Sequence, residues 1–178
     1  IARALSDVER AQPADIIALI SRIEIRAEAR PANADYALLL GEYYLSGNDP
    51  TAAFNYFDRL VVMGASAPEI LGKAAQAEFL ANDRQLSATA RARAEQALAV
   101  NTAEPAALAT LGMAAFEESD FRAAIQYWQR LQALEPPGSP GYTMLAQIIE
   151  RARVELGEAP TVLADESLAG AAPAISSK

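Results

Sequence analysis

The sequence contains no cysteine and no histidine. Thiol chemistry, zinc-finger ligation, imidazole catalysis and the commonest haem ligand are therefore closed to the side chains of this stretch. The lack of cysteine assigns no compartment, although it is compatible with an oxidising one. Basic residues are in the minority, with 15 Lys and Arg against 23 Asp and Glu and a formal net charge of −8. Neutralising a phosphate backbone takes clustered Lys and Arg, so a nucleic-acid partner is not expected. A basic partner would be steered in more readily. No apolar run approaches the ~20 residues that a membrane-spanning helix needs, so no membrane contact by this stretch is expected. The chain begins at Ile1 rather than Met, with no signal-like segment. It reads as a fragment of a longer protein, with any anchor or address lying outside it.

What the sequence does hold is alanine and a repeat. Apolar residues make up 52% of 178 residues, enough for one compact domain or a short solenoid. From Ala103 to Pro136, small and large apolar residues alternate at fixed places: Leu108, Leu111 and Gly112, then Ala124, Trp128 and Pro136. This is the tetratricopeptide pattern of about 34 residues, a helix–turn–helix in which small residues let two helices touch and large ones fill the gap. Gly112 and Ala124 are the close-approach positions and Trp128 packs over the join. A second copy runs from Ala34 to Pro68, with Leu40, Gly41, Tyr44, Ala53 and Phe57 at the matching places. A weaker copy between them carries Leu71, Ala74 and Ala75, then Ala90, Ala94 and Ala97. Three residues more than two repeat lengths separate Gly41 from Gly112, and they are placed in the turn Ala81 to Ser87. A single repeat cannot bury its own apolar face, so the copies are expected to share one core.

The rest of the chain frames these repeats. Pro13 starts a helix whose stripe is Ile16, Leu19, Ile20, Ile23 and Ala27, with Arg22, Arg26 and Arg30 on a solvated face. Asn33, Asp49, Ser87 and Asp120 stand where helix caps belong; Ser66 and Glu69 have capping-box spacing, and Thr102 or Ala103 opens the strong repeat. Ser139-Pro140 begins a last helix with Leu145, Ile148, Ile149 and Ala152 on its apolar face, ending at Gly157. The chain thus reads as all-α: a tetratricopeptide-repeat solenoid of three helix pairs, flanked by an N-terminal helix and a C-terminal capping helix. Its parts are an arm at 1–12, a repeat domain at 13–157 and a tail or linker at 158–178. The pairs lie at about 34–66, 67–102 and 103–136, and the capping helix at 139–157.

No constellation of residues calls for catalysis. Glu117, Glu118 and Asp120 are neighbouring carboxylates, but they fall at a turn between helices, where charge is ordinary. Trp128 and Tyr44 hold packing positions; Tyr43 can be core or rim. Binding remains, and in this architecture the first helix of each pair lines the concave face. The positions that point there are Leu38, Glu42 and Leu45, then Gly72, Gln76 and Phe79, then Ala109, Met113 and Phe116, with Tyr43 and Leu80 at the rim. Such a face, largely apolar and with an adaptable Met, suits the apolar side of a partner helix.

Three segments carry a more specific likeness. LLLGEYYLSGND (Leu38 to Asp49), ALATLGMAAFEESDFRAAIQYWQRLQALEPPGSP (Ala107 to Pro140) and QIIERAR (Gln147 to Arg153) resemble the periplasmic tetratricopeptide domain of bacterial c-type cytochrome maturation proteins. These are the haem-lyase subunits of the Ccm system and its nitrite-reductase branch. The resemblance covers about Ala14 to Gly157. It implies a non-catalytic binding subunit, without a cofactor of its own, that holds apocytochrome c mainly by its C-terminal helix. Other cytochrome c maturation subunits would then attach haem. It also implies a periplasmic domain whose parent protein is anchored in the inner membrane, with the tail from Ala159 resembling a linker to a further domain. It carries over the face and no individual contact. The competing expectation is a general tetratricopeptide scaffold or adaptor in a periplasmic or envelope assembly complex. An adaptor that grips a chaperone's terminal carboxylate is disfavoured, since Leu38, Glu42, Gly72, Gln76, Ala109 and Met113 stand where it needs Lys, Asn and Arg. The tail residues Val162, Leu163 and Leu168 are expected to pack either on the concave face or along the last helix.

Overall fold

The computed structural model describes residues 13–158. The expectations for the arm and for the tail, including the docking of Val162, Leu163 and Leu168, lie outside the described residues. Eight helices follow one another there: α1 Pro13–Ala29, α2 Ala34–Ser46, α3 Pro50–Val62, α4 Pro68–Ala81, α5 Ala88–Val100, α6 Pro105–Glu117, α7 Phe121–Gln132 and α8 Pro140–Glu155. None of them is long and apolar enough to cross a membrane.

Turn chemistry sets the helix starts. Asn33, Asp49, Ser87, Asp120 and Ser139 each accept the backbone N–H three residues on, satisfying a donor that the helix cannot. Two starts differ from expectation. At α4 the Ser66–Glu69 capping box does not form; Ala67 holds the cap position without a side-chain bond, and Pro68 follows, which has no N–H to satisfy. At α6 the cap is Glu104, not Thr102 or Ala103; its Oε2 accepts from the Ala107 N–H at 2.6 Å. The α2–α3 and α6–α7 turns span only 47–49 and 118–120, whereas the α4–α5 turn spans 82–87. The three surplus residues of the repeat spacing thus sit in that turn.

Each helix packs on its sequence neighbours, and α4 lies in addition against α6. The weak middle repeat works through alanine: Ala90, Ala94 and Ala97 of α5 are fully buried against Leu71, Ala75, Ala107 and Leu111. Without larger side chains, α5 can lie close to both α4 and α6. Among the described side chains of α1, Ile20, Ile23 and Ala27 are buried; Ile16 and Leu19, expected on the same stripe, are exposed, because the packing against α2 is made by residues from Ile20 onward. Tyr44 belongs to the interior face between α1 and α3. Its hydroxyl donates to Glu24 and its ring stacks on Tyr56 at 5.8 Å. That hydrogen bond, and then burial, push the Tyr44 hydroxyl well above its ordinary range.

The repeat glycines are close-approach sites, but what approaches is a ring rather than a backbone. A Cβ on Gly112 would lie 2.5 Å from Nε1 of Trp128, and one on Gly41 would lie 3.0 Å from the Phe57 ring. Both rings are in the core, Phe57 fully and Trp128 at 5% exposure. A polar clasp joins the first two repeats. Arg93 of α5 reaches Asp58 of α3 at 2.5 Å and Glu78 of α4 at 3.1 Å, with its side chain only 14% exposed. Glu78 also accepts from the Ser87 hydroxyl.

Candidate peptide-binding face

The face is built from α2, α4 and α6, the first helices of the three pairs. Leu38 stands on α2 at 40% exposure, and one turn on, Glu42 pairs with Lys73 of α4 across the repeat boundary. Leu45 and Tyr43 are half-buried. Leu45 packs against the α3–α4 core, and Tyr43 sets its edge on Tyr44 at 5.2 Å. Leu80 is half-buried near the end of α4. Gln76 and Ala109 line a cleft of about 430 Å³ between α4 and α6, together with Lys73, Glu104 and Leu131. Met113 and Phe116 line a second cleft, of about 330 Å³, with Trp128 of α7 and Ile148 of α8. Phe116 there meets Phe121 at 5.2 Å and Trp128 at 5.6 Å.

One expected contact is removed. Phe79 is fully buried. It occupies the same repeat position as Phe116, but α6 lies along α4, so the ring points into protein and offers nothing to a partner. Gly72 is likewise no open position. The Glu104 carboxylate fills the space where a Gly72 side chain would stand, and residue 104 is only 2% exposed. Burial raises the Glu104 carboxyl above the ordinary carboxylate range, opposed by the N–H groups of Ala107 and Ala106. Repeat phasing could not reveal this, although an acidic residue directly before a first-turn proline is a capping signal. Lys73, Arg84 and Arg151 also line these clefts without having been expected there, and Ile148, expected on the apolar face of the last helix, lines the second cleft. They sit off the repeat positions that point inward, on the helix side, the long turn and the capping helix.

The clustered carboxylates at the α6–α7 turn are each engaged. Glu117 pairs with Arg84 and Glu118 with Arg91, while Asp120 caps α7. They form no joint site.

The chain's likenesses agree with one another. The family described as the cytochrome c-type biogenesis protein H TPR domain matches residues 3–142. The cytochrome c-type biogenesis protein CycH of Pseudomonas aeruginosa is 32% identical over 155 residues, covering 85% of this chain and 38% of that protein. The formate-dependent nitrite reductase complex subunit NrfG of Escherichia coli O157:H7 is 28% identical over 120 residues, covering 67% of this chain and 61% of its own length. The chain therefore spans well under half of the CycH protein and about three-fifths of NrfG. Among solved structures, the crystal structure of MamA superposes with a TM-score of 0.65 at 22% identity, covering 81% of this chain and 80% of that one, a likeness of fold alone. With the family matched over most of its length and eight helices in repeat order, the chain belongs to the cytochrome c-type biogenesis protein H TPR-domain family.

Proposed function

We propose that this chain is a non-catalytic holding module of c-type cytochrome maturation, acting in the periplasm within a membrane-anchored parent protein. Its face on α2, α4 and α6 takes the C-terminal helix of an apocytochrome c and presents the chain to the other maturation subunits, which attach the haem. The observation that carries this reading is the set of apolar side chains left at least partly accessible on the three inner helices: Leu38 and Leu45 on α2, Leu80 on α4, and Met113 and Phe116 on α6. Membership of a cytochrome c-type biogenesis family supports the choice of partner. An amphipathic helix laid on such a surface gains most from apolar burial, with anchors recurring every three or four residues. The complex should therefore keep most of its affinity at physiological salt, where exposed charge pairs are screened beyond about 8 Å.

The test is a titration of a fluorescently labelled apocytochrome c C-terminal helix peptide against the chain and against its Met113→Ala/Phe116→Ala variant. Truncating an anchor that a partner buries typically costs more than 1 kcal/mol, so a loss of affinity of about tenfold or more is expected for the pair. Circular dichroism confirms that the variant stays folded. Equal affinity for the folded variant and the parent would remove this face from the reading, and absence of binding to the parent would remove the partner.

A further inference from the structure

The turn between α4 and α5 is longer than its two counterparts and is also unusual in its backbone. The short turns place one non-glycine residue each in the left-handed region, Asn48 and Ser119, whereas the long turn places two in succession, Asp83 at φ 51° and Arg84 at φ 61°. Asp adopts this region with comparative ease, whereas a long side chain such as arginine seldom does, so Arg84 is held there by the turn around it. The consequence is positional. Arg84 is delivered to the rim of the 330 Å³ cleft whose apolar lining is Met113, Phe116, Trp128 and Ile148. Arg151, from α8, also lines the cleft, with its guanidinium carbon 5.4 Å from the centre of the Phe116 ring. In a chain of net charge −8, the charged groups lining this apolar cleft are two arginines and one carboxylate, Glu117, so cations outnumber anions there.

Neither arginine is committed to the fold. Arg84 touches Glu117 at 3.4 Å, but both side chains are largely exposed, 61% and 47%, and such pairs hold little. Arg151 is exposed and lies against an aromatic ring, an arrangement that leaves guanidinium N–H groups free to meet an acceptor. A guanidinium selects carboxylates by paired N–H donors, and an apolar cleft beside it selects the side chain next to that carboxylate. The cleft shares Met113 and Phe116 with the peptide face, so a helix lying on that face reaches it.

We propose that this cleft is a specificity subsite of the face: it takes an apolar side chain of the bound helix together with an Asp or Glu one turn away, read by Arg84 and Arg151. This rests on the peptide-holding reading above. The apolar lining sets affinity and the arginines choose among apolar helices, so the acidic residue accounts for the salt-sensitive part of binding.

The experiment uses two synthetic amphipathic helical peptides with leucines along one face. One carries a single glutamate a turn from the central leucine; the other carries glutamine there. Each is titrated against the parent chain, Arg151→Gln, and the double variant Arg84→Gln/Arg151→Gln, at low and at physiological salt. Both arginines are exposed, so the variants should fold, and matching circular dichroism spectra check this. The parent should prefer the glutamate peptide by about threefold to fivefold at low salt. That preference, read as the ratio of the two peptides' affinities for each protein, should shrink in Arg151→Gln and vanish in the double variant. If the parent binds both peptides equally, or if the double variant keeps the full preference, the subsite is wrong and the holding function stands. If the parent binds neither peptide, nor the cytochrome peptide, both fall together.

Discussion

Replacing Gly112 by alanine sets two effects of opposite sign against each other. Gly112 lies in the interior of α6, where alanine is the better helix former by about 0.8–1.0 kcal/mol. The added methyl, however, would stand 2.5 Å from Nε1, 2.6 Å from Cδ1 and 3.2 Å from Cε2 of Trp128. Carbon contacts settle near 3.5–4.0 Å, so indole and helix must part by about 1 Å. A flexible side-chain end could give that distance cheaply. An indole only 5% exposed and held against Phe116 cannot. Overpacking costs about 1–3 kcal/mol, and a shift of about 1 Å forced on a sealed indole belongs at the upper end, about 2–3 kcal/mol, so the steric effect outweighs the helical gain and the net loss is about 1–2 kcal/mol. At about 2–4 °C per kcal/mol for a chain of this size, the melting temperature should fall by about 2–8 °C. Gly41→Ala is the internal control. Its methyl would meet the Phe57 ring edge at 3.0–3.1 Å, where a few tenths of an ångström suffice, so the two effects should nearly cancel. Thermal melts followed by circular dichroism, on Gly112→Ala, Gly41→Ala, Trp128→Leu and the double variant Gly112→Ala/Trp128→Leu, measure this. The double variant should be more stable than the sum of its singles, because leucine vacates the space the methyl needs. A Gly112→Ala protein that melts at or above the parent, or an additive cycle, would refute the packing argument.

Two further stability outcomes follow from the polar interior. Arg93→Ala leaves Glu78 and Asp58 without their shared cation, and should lower stability by about 2–3 kcal/mol in urea unfolding, less than the 3–5 kcal/mol of a fully buried pair because Asp58 is partly exposed. An unchanged midpoint would show that the clasp holds nothing. Glu104 carries a pH signature. Burial raises its folded-state affinity for a proton, so its contribution is most favourable below the ordinary carboxylate range and is lost as pH rises through the raised value. Glutamine does not titrate, so the stability of Glu104→Gln relative to the parent should climb as pH rises from about 4 to 7. A flat or falling difference would mean the carboxyl is not held up by burial.

The helices were legible because their signals are local. Asn33, Asp49, Ser87, Asp120 and Ser139 each act on a backbone N–H three residues away, so sequence spacing and spatial contact coincide. The same holds for the long turn, where a surplus of three residues has nowhere else to go. Legibility failed where the partner is distant. Arg93 reads as one of several charges on an alanine-rich helix, yet it is largely buried, because Asp58 and Glu78 converge on it from 35 and 15 residues earlier. The stripe on α1 failed for a related reason: periodicity names the side of a helix that can be buried and is silent on how far the neighbouring helix extends.

The face shows that limit most clearly. Repeat phasing assigns Phe79 and Phe116 the same position, and their surroundings then separate them. α4 has α6 laid along it, and Phe79 is sealed inside; Phe116 faces a cleft bounded by the capping helix. Phasing likewise points Gly72 outward, where the missing side chain is replaced by a carboxylate from the next repeat. The corrected face therefore differs in character from an unbroken apolar strip. Leu38 and Leu45 lie on α2, the Glu42–Lys73 pair bridges to α4, the Gln76–Ala109 cleft follows, and Met113 and Phe116 open into the cleft with the two arginines. A helix laid along it would meet pairs of apolar anchors at both ends, with Leu80 and polar groups between them. Its affinity would come from the ends, and its register from what it offers to Lys73 in the middle and to Arg84 and Arg151 at the far side.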